Sequence, residues 1–313
     1  MARPQPGSQS DPGAPRALVH PLPPGMRDLL PEEARARRLL GGRALAHFES
    51  HGYLTVVPPA FELAEVLARG LGTLGPAEMI RFVEPDSGEV AALRPDMTPQ
   101  IARMVATRLA DRPLPIRLCY EGTIVRRRRG GARRHRQVPQ TGVELYGVPG
   151  AAGDLEMLAL AVSSARAVGL TRFVLDVGHA GIARALLQGA PSPVADAVSD
   201  ALAHKDAARV EDLIRADAAC FGAEDARALR ELPHLSGSAA LPGAEELLAR
   251  AERALAGSRA EPALRELVAL WRAISAGGDA VVGDALHLDL GEVRGLAYYT
   301  GVVFQLLADG PGE

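Results

Sequence analysis

Apolar residues alternate between helical and strand periodicity over the first 190 positions, become purely helical, and then return to strand. Pro31-Glu32-Glu33 opens the first helix, because proline suits a first turn and acids suit the positive end of the dipole. Its predicted apolar face is Leu39, Leu40, Ala44, Leu45 and Phe48, and His51-Gly52 ends it. Tyr53–Val57 reads as a strand stopped by Pro58-Pro59, and Phe61–Ala68 as a short helix. Met79–Val83 and Glu89–Leu93 read as a hairpin around the turn Pro85-Asp86-Ser87-Gly88. Thr98-Pro99 starts a helix with the stripe Ile101, Met104, Val105 and Leu109, Thr98 being a good N-cap. Pro115–Arg126 and Gln140–Val148 read as strands around an arginine-rich loop. A helix at Gly153–Val168, a strand at Arg172–Val177 and a helix at Gly181–Leu187 follow.

From about Pro193 to Gly278 strand patterns vanish, and Ala285–Leu290 and Val302–Leu307 restore them. Strands that form hairpins predict an α+β fold: a largely antiparallel sheet flanked by helices and interrupted by an all-helical insertion. The expected organisation is a disordered tail at 1–21, rich in Pro, Gly, Ser and Gln, then a core at 22–190. A helical insertion at 191–280 and the last core strands at 281–313 complete it.

Composition narrows the chemistry. The chain has 313 residues, a net charge of −3 and a pI near 6.3, so it lacks the general basicity of a nucleic-acid binder. No apolar run approaches the roughly 18 residues of a membrane helix. Cys119 and Cys220 supply neither a disulfide framework nor a cysteine-rich zinc site, and fit a reducing compartment. Lys205 is the only lysine and lies in a helical pattern without a glycine loop, which disfavours phosphate-loop NTPases and pyridoxal enzymes. The histidines show no metal-ligand spacing, and His179, at a strand-to-helix turn, reads as a capping or packing residue.

Four segments carry candidate chemistry. In Leu93-Arg94-Pro95-Asp96-Met97-Thr98-Pro99 a strand-to-helix turn displays Asp96 and Thr98, either as plain capping with Arg94 and Asp96 as surface charges or as a receiver for an ammonium group. Residues 124–136 hold seven arginines and His135, either a solvated hairpin loop or, because like charges repel, a segment that asks for an anionic partner: phosphates, an acidic protein surface or RNA. The absence of interleaved aromatics weakens the RNA version. On the strand after it, Gln140 and Glu144 share a face with Gly142 between them, either a polar groove floor or an exposed sheet face. The fourth segment, residues 290–304, gathers glycines, Arg294 and the pair Tyr298-Tyr299.

In this order, over residues 22–307, the segments resemble the catalytic core of class II histidyl-tRNA synthetase. LRPDMT resembles that family's LRPEGT, the arginine loop with QVPQTGVELYG resembles its motif 2, and RGLAYYTGVVF resembles its histidine-recognition segment RGLDYYTGTVFE. The resemblance implies a class II synthetase-like fold and a set of histidine contacts. Asp96, Thr98 and Gln140 would take the α-amino group, and Glu144 and Tyr299, with Tyr298 beside it, the imidazole. Arg294 would pair with the carboxylate or stabilise developing charge, and Arg126 would stand at the α-phosphate position. Arg128 replaces the glutamate that holds adenine in the family, Ala297 replaces an aspartate, and neither the last ATP motif nor an anticodon-binding domain appears before Glu313. An arginine cannot accept a hydrogen bond from an adenine amine.

RPDMTPQIAR, Val177–Leu187 and the RGxxYYTGxVF ending are more similar to the synthetase paralogue that serves as the regulatory subunit of ATP phosphoribosyltransferase. That resemblance implies a non-catalytic, cytoplasmic chain with no cofactor and no metal. It would partner the short catalytic subunit, take L-histidine as effector, and self-dimerise within a hetero-octamer, the dimer forming around Pro58-Pro59. Neither membrane nor tRNA binding is expected, and a degenerate histidyl-tRNA synthetase is the alternative. The stop at Glu313, short for that family, points to a truncated or atypical copy.

Overall fold

The computed structural model describes residues 22–71, 79–127, 135–238, 243–277, 286–292 and 299–308. Helix α1 (Pro31–Ser50) has Pro31, Glu32 and Glu33 in its first turn and ends before Gly52, whose φ of +84° is a left-handed stop. Its buried face is Gly41, Ala44 and Phe48, whereas Leu39 and Leu40 stay 53% and 47% exposed. The apolar stripe expected there is thus rotated. Gly41 has no side chain, so the helix lies down on Glu121, whose carboxylate occupies the space a Cβ would need. This close approach turns Leu39 and Leu40 outward.

Strand β1 (Leu54–Thr55) runs parallel to β5 (Ile116–Val125), and β5 pairs antiparallel with β6 (Gln137–Tyr146) from Ile116↔Tyr146 to Val125↔Gln137. A second sheet has the order β2 (Phe61–Leu63), β4 (Val90–Leu93), β3 (Ile80–Val83), all antiparallel. The hairpin read from sequence is β3–β4, and its turn is tied by Glu84, which accepts from the backbone and hydroxyl of Ser87. The helix expected at Phe61–Ala68 is corrected. Phe61, Glu62 and Leu63 pair with Leu93, Ala92 and Ala91, and only then does α2 (Ala64–Leu71) begin. A partner 30 residues away in sequence overrides the local pattern.

Ile101 of helix α3 (Thr98–Arg108) and Met97 just before it, both fully buried, pack onto Ile116, Leu118, Tyr120 and Ile124 of β5. Burying a side chain such as Ile101 contributes roughly 1.5–3 kcal/mol. Helix α4 (Ala151–Ala167), β7 (Val174–His179) and α5 (Ala180–Leu187) lead into the insertion. There α6 (Ser192–Ala203), α7 (Ala207–Ala216), α8 (Ala223–Glu231), α9 (Gly243–Leu255) and α10 (Glu261–Ala276) follow one another. The last strands are β9 (Leu286–Asp289) and β10 (Val302–Leu307).

The insertion is not purely helical as expected, since β8 (Ser236–Ser238) pairs antiparallel with β9. Ser-Gly-Ser carries no strand signature, and its place is set by the open edge it finds. The resulting sheet has the order β10–β7–β9–β8, with β7 and β9 parallel. Across the described residues the sheets are therefore mixed, with parallel pairs at β1–β5 and β7–β9 within otherwise antiparallel ladders. One hydrophobic core joins Leu158, Leu175 and Leu186 to Leu202, Leu229, Leu264 and Leu288, so insertion and sheet share their interior.

His179 caps α5, as its position predicts. Its Nδ1 accepts from the Gly181 amide at 3.0 Å, and its Nε2 meets the Glu266 carboxylate of α10 at 3.1 Å. Lys205 forms an ion pair with the buried Asp289 at the end of β9. These two contacts fasten the insertion to β7 and β9.

Candidate functional site

The turn between β4 and α3 projects Asp96 under the open face of the β5–β6 hairpin. Its Oδ1 accepts from the Thr98 amide and from Gln140 Nε2, both at 3.1 Å, and its Oδ2 accepts from Arg126 Nη2 at 3.1 Å. Gln140 closes the ring, its Oε1 accepting from the Met97 amide at 3.1 Å. Asp96 is buried, and Arg94 is half-buried rather than a surface charge. Arg94 donates to the carbonyls of Thr123 (2.8 Å) and Pro58 (3.0 Å), and burial pulls its pKa down. The reading of both as surface charges is thereby corrected. So is that of Thr98 as N-cap: Thr98 is already helical, and Asp96 makes the local side-chain bond to its amide.

Gln140 and Glu144 share a face of β6 with Gly142 between them, as strand alternation requires. Tyr120, directly across from Gly142 in the ladder, fills the space the glycine leaves and donates to Glu144 Oε1 at 3.3 Å. The nearby Thr98 hydroxyl favours the charged forms of Glu144 and Tyr120. Burial pushes the Glu144 carboxyl up to about 7; the bonds from Thr98 and Tyr120 offset this, and the Asp96 charge adds to it. Burial, reinforced by Glu144, also raises the Tyr120 and Tyr146 hydroxyls. Tyr120 carried no signal in the sequence, because its pairing with Gly142 is fixed by the register of the folded ladder.

Gly142→Ala is expected to destabilise the chain by about 1–3 kcal/mol, as overpacking does in cores. A Cβ there would lie 2.7 Å from the Tyr120 hydroxyl oxygen and push it off Glu144. Urea unfolding of wild type and variant at neutral pH measures this directly.

The structure brings together Asp96, Thr98, Arg126, Gln140 and Glu144, and adds Tyr120. Arg126 does not present a free cation to a phosphate. Its Nε donates to the Pro95 carbonyl at 2.7 Å and its Nη2 is held by Asp96. Tyr299 lies just before β10, in the four-stranded sheet, 40% exposed, its carbonyl accepting from Arg184. Arg294 and Tyr298 lie outside the described residues, as do Arg128 and Ala297. Elsewhere, carboxylate oxygens of Asp176, Asp289 and Glu292 lie within 4.8 Å of one another. Asp176 is already bonded to His287 at 2.8 Å, and Asp289 to Lys205. The central cluster thus gathers two carboxylates, an amide and a guanidinium beside the buried apolar residues Met97, Ile101 and Leu118.

A family model described as histidyl-tRNA synthetase matches residues 25–313. A protein of Anaeromyxobacter dehalogenans named ATP phosphoribosyltransferase regulatory subunit is 41% identical, over 93% of this chain and 80% of its own length. Proteins of the same name from Syntrophotalea carbinolica and Geobacter sulfurreducens are each 35% identical, and the chain spans 66% and 65% of their lengths. Among solved structures, an ATP phosphoribosyltransferase regulatory subunit/histidyl-tRNA synthetase from Bacillus halodurans superposes with a TM-score of 0.79 at 26% identity, covering 94% of this chain and 73% of that one. A histidine–tRNA ligase subunit from Alicyclobacillus acidocaldarius gives 0.76 at 29% identity, covering 96% and 88%. The chain belongs to the histidyl-tRNA synthetase family and, within it, to the ATP phosphoribosyltransferase regulatory subunits.

Proposed function

We propose that this chain is a non-catalytic regulatory subunit of ATP phosphoribosyltransferase. In the cytoplasm it assembles with a separate short catalytic chain, as a self-dimer within a hetero-octamer, and confers inhibition by L-histidine. The observation that supports this reading is the gathering of Asp96, Thr98, Gln140 and Glu144 beside an arginine whose donors are already taken. Asp96, Thr98, Gln140 and Glu144 are set to receive donors, while Arg126 is spent on Asp96 and Pro95. The α-amino group goes to Asp96, Thr98 and Gln140, and the imidazole to Glu144 and Tyr299 with Tyr298 beside it. Arg294 takes the carboxylate.

Regulation is then a linkage. Histidine binds one arrangement of the assembly better than the other, and a coupling of about 1–3 kcal/mol is enough for a 5–150-fold change in affinity. Phosphoribosyl transfer by the catalytic chain should rise on adding this chain and fall again with L-histidine, and calorimetry should show histidine bound. An activity indifferent to both would sink the proposal. Histidine-dependent ATP–pyrophosphate exchange by the chain alone would instead establish a ligase.

A further inference from the structure

Helix α1 carries a second face. Opposite Gly41, Ala44 and Phe48, the residues Arg35, Arg38, Leu39, Gly42, Arg43 and Ala46 recur at helical spacing, and all are exposed. Between Glu33 and Glu49 the helix holds four arginines and no acid. One of them, Arg37, turns inward and donates to the Thr123 hydroxyl at 2.6 Å. Among the described residues no ion pair or hydrogen bond engages Arg35, Arg38 or Arg43. Like charges three apart on a helix repel one another. The adjacent glycines differ in what their missing side chains permit. Gly41 makes room for Glu121, whereas a Cβ on Gly42 would meet nothing within 4 Å. A glycine in mid-helix weakens the helix relative to alanine, and none of the described residues uses the space it leaves.

We propose that this outward face of α1 docks an acidic helix face of a partner protein and, resting on the regulatory reading above, that the short catalytic chain supplies it. Carboxylates of the partner pair with Arg35, Arg38 and Arg43, an apolar side chain covers Leu39, and Gly42 with Ala46 lets the partner's backbone come close. Charge argues against the other occupants. A second copy crossing at Gly42 would set Arg38 and Arg43 of one chain beside those of the other. Residues 1–21 hold Arg3 and Arg16 against one acid, Asp11, which is the wrong sign for this face. A face centred on one leucine offers a bilayer little apolar area.

Calorimetric titration of the full chain with the short catalytic chain should show binding that weakens with added salt. Arg38→Glu and Arg43→Glu should each weaken it by about tenfold or more, since the reversed charge meets the partner's acids. Arg38→Lys should keep most of the affinity, and circular dichroism verifies that each variant is folded. Gly42→Leu separates docking from folding. It should raise the urea midpoint, leucine being the better helix former, and yet weaken binding by about tenfold because it blocks the close approach. Wild-type affinity in folded Arg38→Glu and Gly42→Leu overturns the proposal and leaves the regulatory reading standing, whereas no binding by the unaltered chain overturns both. Light scattering that finds the chain dimeric and Arg38→Glu monomeric assigns the face to a second copy. Sedimentation with phosphatidylserine vesicles that Arg38→Glu abolishes assigns it to a membrane. Either result also overturns the proposal.

Discussion

An Asp96→Ala chain is expected to bind L-histidine about 100-fold more weakly than wild type, as truncating one partner of a buried, hydrogen-bonded charge cluster does. Asp96 is the point at which three donors meet: the Thr98 amide, Gln140 Nε2 and Arg126 Nη2. Removing it frees the Gln140 amide to turn and leaves a half-buried guanidinium with only the Pro95 carbonyl and solvent. Stability should fall as well, by about 2–3 kcal/mol, below the cost of a fully buried pair because Arg126 is partly exposed. Asp96→Asn keeps the volume and the acceptor for the Thr98 amide but not the charge, and should fall between the two. Titration calorimetry alongside urea unfolding separates the two losses. An Asp96→Ala chain that still binds histidine as wild type does would place the effector outside this cluster.

The second large effect is a pH dependence. Glu144 titrates at about 7 in the fold against an ordinary 4.5, chiefly because it is buried. Between these values the folded chain holds a proton that the unfolded chain has released. The native state thus binds more protons, and stability falls as pH rises from about 4.5 to about 7, then levels off. The size of the fall is on the order of 3 kcal/mol. Glu144→Gln abolishes this slope while keeping an acceptor oxygen for Thr98 and Tyr120. The variant should match wild type near pH 5 and exceed it near pH 8. Urea midpoints at the two pH values measure it, and parallel pH profiles for the two proteins would show that Glu144 is not the titrating group. In the same variant histidine affinity should drop at pH 8, where wild type offers a carboxylate and the variant only an amide.

Local signals in the sequence carried most of the elements. The β3–β4 hairpin was legible because its turn residues are chemically specific, and Val302–Leu307 coincides with β10. The shared face of Gln140, Gly142 and Glu144 followed from strand alternation alone. What stayed hidden depended on distant partners. Phe61–Leu63 became a strand because β4 was there to pair with it, and Leu39 and Leu40 stayed in solvent because Gly41 admits Glu121. The roles of Arg94 and Arg126 were illegible for the same reason, since an arginine's meaning lies in its acceptors: the carbonyls of Pro58 and Thr123 for one, Asp96 and Pro95 for the other. Tyr120 entered the site through its register partner Gly142, a pairing that only the folded ladder reveals.

The three-residue ribbon Ser236–Ser238 gives the helical insertion a consequence for protein engineering. Because β8 covers the flank of β9, excising residues 191–280 would strip away its hydrogen-bonding neighbour as well as many of the leucines of the common interior. The shortened chain would bare a row of unsatisfied amides and carbonyls, a template on which other molecules can stack. Trimmed versions of this protein should therefore precipitate unless the 236–238 segment is grafted back as a short lid on that flank.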